Sequence, residues 1–416
     1  MELEREKRSG IGFIGGLLTG VIVTSLIVIV GYFVGIGTKD GDLSQLYPDV
    51  STTVSGDNED GIINAEFLQK IGTLESLIDK IYYLDEVSAE DLREGAYEGI
   101  VYALGDIYSV YYTPKEAEEI FQESEGIYYG IGAYVQMDEV TGYVKITGTI
   151  KNTPAEEAGL MEGDILYMVD GEDMAGMDTT QVVLRIKGEE GTKVHLTVVR
   201  DGEYVEVDVE RRKIESPTVE YQMLDDRMGY IQLMEFDDVT VNQFASALDA
   251  LKAEQAEGFV LDLRGNPGGN LDSVVAIADM LLDEGLILYT EDKYGQGEEY
   301  RSKEGKQLDL PMVVLVDGNS ASASEVLSGA LKDHGEATLV GTTTFGKGLV
   351  QTIRSLRDGS AVKLTMSAYF TPSGANIHGT GIVPDVVVEF DGEAYKADGY
   401  DNQLEKAKEV LSELLP

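Results

Sequence analysis

The chain has 416 residues, with 32 basic against 76 acidic side chains and a formal charge of −44. So acidic a surface repels phosphate backbones and argues against a nucleic-acid partner. The absence of cysteine excludes a disulfide framework, a thiol nucleophile and a thiolate metal site, and three histidines leave little room for a triad or a metal cluster.

Residues 1–8 are basic at Arg5, Lys7 and Arg8, and the following stretch, residues 11–36, carries no charge. Its 26 residues are enough to cross a hydrocarbon core of ~30 Å with some tilt. The basic flank predicts residues 1–8 as a cytoplasmic tail, 9–37 as a single transmembrane helix, and the bulk of the chain outside the cell membrane. A cleaved signal peptide is the rival, but the span is long for one and no A-x-A-like site follows. Glycines at small-xxx-small spacing, Gly12, Gly16 and Gly20, are compatible with two anchors packing together and so with a homodimer.

Residues 38–60 are polar, acidic and aperiodic, and read as a linker. From 61 to 126 apolar residues recur at three and four, as in Phe67, Ile71, Leu74, Leu77, Ile78 and Ile81, which predicts a helical region. Residues 127–210 change to short strands ending in a hairpin about Asp201-Gly202. From 211 to 395 strands alternate with helices: "MGYIQL", a helix over 240–254, "GFVLDLR", a helix over 271–283, "PMVVLV" and a helix over 322–333. That rhythm predicts an α/β domain within an α+β multidomain chain, closed by a C-terminal helical segment over 396–416.

In "DGNSASASEVL", residues 317–327, three serines sit where an apolar strand meets a helix. Ser322 and Glu325 form a capping-box pattern, so a plain helix cap explains them. A nucleophile explains them too: Ala321 and Ala323 leave room for a substrate backbone, and a helix N-terminus favours developing negative charge. A nucleophile needs a base. His334 lies twelve residues down the same helix, ~18 Å at the helical rise; His195 sits in a strand and His378 in a glycine-rich loop. Lys347, between two glycines in "TTTFGKGLVQ", is the alternative, if burial leaves its amine neutral. Two motifs mislead. "GTTTFGK" opens like a P-loop, but Gly348 replaces the Ser or Thr that would hold magnesium and a hairpin about Asp358-Gly359 follows. "GNPGG", residues 265–269, has Pro267 where a trypsin-like "GNSGG" has its serine. It reads either as a glycine turn or as one wall of an oxyanion hole.

From about residue 65 onward the chain resembles the carboxyl-terminal processing peptidases, or tail-specific proteases. The resemblance rests on "LGDIYSVYYTP" (104–114), "DLRGNPGG" (262–269), "NSASASE" (319–325), "FGKGLVQ" (345–351) and "YFTPSGANIHGTGIVPD" (369–385). It implies a Ser–Lys serine endopeptidase without metal or cofactor, with Ser322 as nucleophile, Lys347 as base and Gln351 beside them. It places the oxyanion donors on the N–H of Ala323 and of Gly268 or Gly269, with Gly268 preferred. It also makes 127–210 a PDZ domain that binds peptides with free C-termini. Gly130, Ile131, Gly132 and Ala133 form its carboxylate loop, with Ala133 where a larger apolar residue is often found. The alternative is a non-catalytic PDZ scaffold that keeps the fold; the retained serine, lysine and glutamine argue against it.

Overall fold

The computed structural model describes residues 61–415 apart from 85, 139 and 304. The expected cytoplasmic tail, transmembrane helix and linker lie outside the described residues. Among the described residues no helix is long and apolar enough to cross a membrane.

Residues 61–103 belong to one compact unit and those from 104 onward to a second. The first contains helices Ala65–Ile81 and Ala89–Tyr102. Asn64 caps the former by accepting from the Phe67 N–H, and Ser88 with Asp91 makes a reciprocal capping box on the latter. Neither helix contains a buried residue, and Leu68, Leu74 and Leu77 are exposed.

In the second unit the alternation of strands and helices builds the expected α/β layer. One sheet runs Val219–Met223, Met228–Leu233, Gly258–Asp262, Met312–Val316, Ala337–Gly341 and Val386–Val387, antiparallel at the first pairing and parallel thereafter. "GFVLD" and "MVVLV" are buried at every position, as a parallel strand covered on both faces requires. Helices Asp238–Ala253, Leu271–Leu281 and Ala323–His334 share one core with that sheet through Phe244, Ile277, Leu327, Leu261 and Val314. Helix Asn402–Leu414 covers the other face, setting Ala407 and Leu411 on Val260, Val313 and Leu315. Arg264 ties the end of Gly258–Asp262 to that helix, reaching Asp262 at 2.6 Å and Asp401 at 2.8 Å.

A second, antiparallel sheet holds the hairpin expected about Asp358-Gly359, joining Leu349–Ser355 to Ala361–Phe370. It corrects the reading of 61–126 as helical throughout: Val110–Tyr112 is a strand paired with Ala361–Lys363. The helix that follows, Pro114–Glu125, starts at a Thr113–Glu116 capping box and ends at left-handed Gly126. Residues 104–126 therefore belong with the larger unit rather than with the two preceding helices.

The middle of the chain forms a sheet of Ala133–Asp138, Tyr143–Thr149, Ile165–Val169, Lys193–Arg200 and Glu203–Glu210, with helix Thr179–Ile186 against it. Alternate positions of its strands, Val144, Ile146, Leu196 and Val198 among them, fill a separate core. The hairpin expected at Asp201-Gly202 has positive φ at both residues, 52° and 84°, as a two-residue primed turn demands. Strand Ile127–Gly130 pairs with Arg212–Glu215 where the chain enters and leaves this sheet.

Candidate active site

Strand Met312–Val316 delivers the chain to a sharp turn, and helix Ala323–His334 begins immediately after Ser322. Ser322 itself has φ 53° and ψ −113°, a region costly for any residue with a Cβ, by ~1–3 kcal/mol. The turn holds because its neighbours are bonded into the core. Ser320 Oγ donates to the Leu263 carbonyl at 2.8 Å and Ser324 Oγ to the Asn266 carbonyl at 2.9 Å. Tyr369 OH donates to the Ser322 carbonyl at 3.1 Å.

These bonds separate the three serines. Two hydroxyls are spent on backbone carbonyls, whereas Ser322 Oγ is buried without any hydrogen-bond partner. The capping-box reading of Ser322 and Glu325 is only half realised. Glu325 Oε2 accepts from the Ser322 N–H at 3.0 Å, but the Glu325 N–H goes to the Ser322 carbonyl, leaving the hydroxyl unused. A buried hydroxyl with no partner costs about 1–3 kcal/mol.

Glu325, read from sequence as a cap, joins the serine turn to the lysine loop. Its carboxylate accepts from the backbone N–H of Gly346 and Lys347, both at 2.8 Å, and from Thr344 Oγ1 at 2.5 Å. Burial raises its carboxyl above the ordinary range, and these donors oppose that rise. The glycines flanking Lys347 are explained by close backbone approach. A Cβ on Gly346 would meet the Gly381 N at 2.9 Å, and one on Gly348 the His378 N at 2.8 Å. The loop is thereby clamped against "GANIHGTG".

Lys347 is 4% exposed, and its ammonium lies 4.9 Å from the centroid of the Tyr108 ring. Burial pushes the amine down to about 8, against the opposing pull of Glu325 and Asp106. It makes no hydrogen bond to Ser322 Oγ, which has no partner at all. Gln351 is buried too; its amide N–H donates weakly to Thr365 Oγ1 at 3.4 Å, and it makes no hydrogen bond with the lysine. Thr365 Oγ1 in turn donates to Asp106 Oδ2 at 2.6 Å, as does Ser109 Oγ. Burial alone would raise the Asp106 carboxyl, but these donors and the Tyr108 N–H hold it below its usual value. Asp106 and Tyr108 are legible in sequence only as parts of the landmark "LGDIYSVYYTP"; nothing local announces that the Tyr108 ring lies against the lysine.

The glycine turn lies against the serine. A Cβ on Gly268 would sit 2.8 Å from Ser322 Cβ and 3.0 Å from the Ala323 N, so the missing side chain keeps open the space before that amide. Ala323 is the first residue of its helix, where a backbone N–H has no intrahelical acceptor. The preference for Gly268 as second donor needs revising: its N–H is bonded to Asn266 Oδ1 at 2.8 Å. Among the described residues the Gly269 N–H has no acceptor, the adjoining bonds being Phe236 N–H to Gly268 O and Asn270 N–H to Phe236 O.

Gly130, Ile131, Gly132 and Ala133 line a small apolar pocket of about 40 Å³ with Val183, Ile186 and Lys187. The Ile131 carbonyl accepts from the Ala155 N–H, and the Gly132 carbonyl from the Ile150 N–H. Across planar peptides the N–H groups of Gly132 and Ala133 therefore point the opposite way. Gly132 has φ 80°, and a Cβ there would meet Thr153 side-chain atoms from 2.4 Å. None of the histidines serves Ser322: His334 Nε2 bonds the Leu286 carbonyl, and His195 pairs with Asp208 and Glu206.

A serine with an unspent hydroxyl on a strained strand-to-helix turn, in one unit with a separate strand-rich core, has the layout of a serine-type peptidase with an appended PDZ domain. Residues 227–388 match the model of peptidase family S41, residues 145–200 that of a PDZ domain, and residues 30–116 the activating protease CtpB N-terminal domain. A probable CtpA-like serine protease of Staphylococcus saprophyticus is 35% identical over 382 residues, covering 91% of this chain and 73% of the relative. The carboxy-terminal processing protease CtpA of Bacillus subtilis is 36% identical over 309 residues, 74% of this chain and 66% of that one. The crystal structure of a putative S41 protease from Bacteroides fragilis shares the fold at 18% identity and a TM-score of 0.52, covering 81% of this chain and 92% of that one. The chain belongs to the carboxy-terminal processing peptidases of family S41 and is a serine-type protease.

Proposed function

We propose that the protein is a membrane-anchored endopeptidase that takes protein substrates by their free C-terminal tails and cleaves them with a Ser322–Lys347 dyad. The observation that carries the dyad is that Glu325 joins the turn of one unspent buried hydroxyl to the loop of one buried amine, which burial lowers. Neutral Lys347 takes the Ser322 proton as Oγ attacks the scissile carbonyl and passes it to the leaving amine as the C–N bond breaks; the lysine then deprotonates a water that hydrolyses the acyl-enzyme, and returns the proton to Ser322 Oγ as the acid leaves. The Ala323 N–H, with Gly269 as second donor from the glycine turn, faces the developing oxyanion. Gln351 orients the lysine once it leaves the Tyr108 ring; catalytic hydrogen bonds are often long or unmade before substrate binds. The pocket at Gly130–Ala133 takes the terminal apolar side chain, and the N–H groups of Gly132 and Ala133 take the carboxylate.

A peptide with a free apolar C-terminus is therefore cleaved faster than its amidated twin, and Ser322→Ala abolishes both reactions. Equal rates for the two peptides would refute tail recognition, and turnover by Ser322→Ala would refute the nucleophile. The charge-free span 11–36 with its basic flank supports an anchor that leaves the catalytic domain outside the cell membrane. Salt-washed membranes then retain the full-length chain; release with a new N-terminus near residue 38 would replace the anchor by a cleaved signal.

A further inference from the structure

Lys347 has a buried companion that the chemistry above leaves unused. Lys363 lies in the middle of the antiparallel sheet, on strand Ala361–Phe370, with Val110 opposite it on one side and Ile353 on the other. It is 2% exposed, and its ammonium stands 5.4 Å from the centroid of the Tyr112 ring, much as that of Lys347 stands over Tyr108. A lysine is almost never buried so fully without a partner. Alternate residues of a strand share a face, so Lys363 projects on the same side as Thr365. Thr365 Oγ1 is the hydroxyl that donates to Asp106 and accepts from Gln351. Lys363 thus belongs to the buried polar cluster that surrounds the dyad lysine.

The charges of that cluster do not balance if every group is ionised. Asp106 is held ionised by Ser109, Thr365 and the Tyr108 N–H, which outweigh its burial. Burial lowers both amines to about 8; the charge of Lys347 adds to the fall at Lys363, and Asp106 opposes it at both. Glu325, the other carboxylate acting on Lys347, is already shared among the N–H groups of Ser322, Gly346 and Lys347 and the Thr344 hydroxyl. The two phenols add no charge. Burial raises Tyr108 and Tyr112, and so do Asp106 and Glu325 for the first, and Glu123 and Glu116 of helix Pro114–Glu125 for the second. Arg354 pairs with Val362 and so projects from the opposite face of the sheet. Two ammonium groups about one carboxylate repel each other, so the cluster is most stable with one amine neutral. A lysine beside another cation is a known way of making an amine basic at working pH.

We propose that Lys363 is a positioning residue for the dyad: it carries the proton that balances Asp106, so that Lys347 stays free to accept one from Ser322. The inference rests on the dyad reading above, in which Lys347 must be neutral. Without Lys363 the charge of Asp106 falls on Lys347 alone and holds its proton in place.

The test follows the rate of Ser322 labelling by a fluorophosphonate probe against pH, in the full-length chain. Lys363→Met removes the cation and keeps an unbranched side chain of similar length. The midpoint of the profile should rise by ~1 pH unit with the high-pH plateau kept, so that labelling at pH 7 slows about tenfold. Lys363→Gln, neutral but polar, should repeat the rise, and serves if the methionine chain does not fold. Lys363→Arg, which keeps the charge, should show no rise. Adding Asp106→Asn to Lys363→Met should bring the midpoint back towards the wild-type value. A purely structural role would lower the plateau in every Lys363 variant and leave the midpoint in place. An unmoved or lowered midpoint in the neutral variants, or a rise in Lys363→Arg as large as theirs, would overturn the proposal. Failure of the dyad itself shows separately, as a wild-type profile without a midpoint.

Discussion

The serine turn and the Gly130–Ala133 loop both place glycine and alanine where the chain packs closely, but they are held differently. The serine turn is over-determined: Ser320, Ser324, Glu325, Asn266 and Tyr369 all bond it, and a strained Ser322 persists only because they do. The peptide loop is held mainly by backbone groups, its carbonyls turned toward Ile150 and Ala155. The first arrangement fixes one hydroxyl for chemistry, so changes there should act on kcat. If, as proposed, the second takes the carboxylate of a substrate tail on its N–H groups, changes there should act on KM.

Of substitutions at the two glycine turns, the larger effect should come from Gly268→Ala. Its methyl group would occupy the space 3.0 Å from the Ala323 N, and the positive φ of 111° adds strain. Blocking an oxyanion donor lowers kcat by ~10²–10³. Steady-state kinetics would show it, and a variant changed only in KM would deny the turn a role in the chemistry. A smaller effect is expected from Gly132→Ala, whose Cβ collides with Thr153 and turns the loop N–H groups. KM for tail peptides should rise roughly tenfold with kcat kept, since uniform binding is what is lost. A fall in kcat instead would mean that the peptide loop gates the serine rather than merely tethering substrate, which breaks the contrast between the two regions.

Much of this architecture is legible in local sequence. Asp201-Gly202 and Asp358-Gly359 mark hairpins because those turns need residues tolerant of unusual φ, and "GFVLD" and "MVVLV" announce buried parallel strands. What local pattern leaves undecided depends on contacts across the chain. Ser322-x-x-Glu325 looks the same whether the hydroxyl caps the helix or stands free. The difference is made by the strained turn, in which the Glu325 N–H goes to the Ser322 carbonyl, while Thr344, Gly346 and Lys347 share the Glu325 carboxylate from about twenty residues away. Tyr108 beneath Lys347 and Asp106 bonded to Thr365 bridge well over two hundred positions. Val110–Tyr112 is hidden inside a helical rhythm because its partner lies in the distant Ala361–Phe370.

The central claim, that buried Lys347 activates Ser322, is tested most directly by the pH dependence of Ser322 labelling with a fluorophosphonate probe. Burial lowers the lysine to about 8, and only its neutral form accepts the proton. The labelling rate should therefore climb tenfold per pH unit below about 8 and level off above it. In Lys347→Arg, whose guanidinium stays charged, labelling should vanish at every pH. A flat profile, or an arginine variant labelled at the wild-type rate, would contradict the dyad.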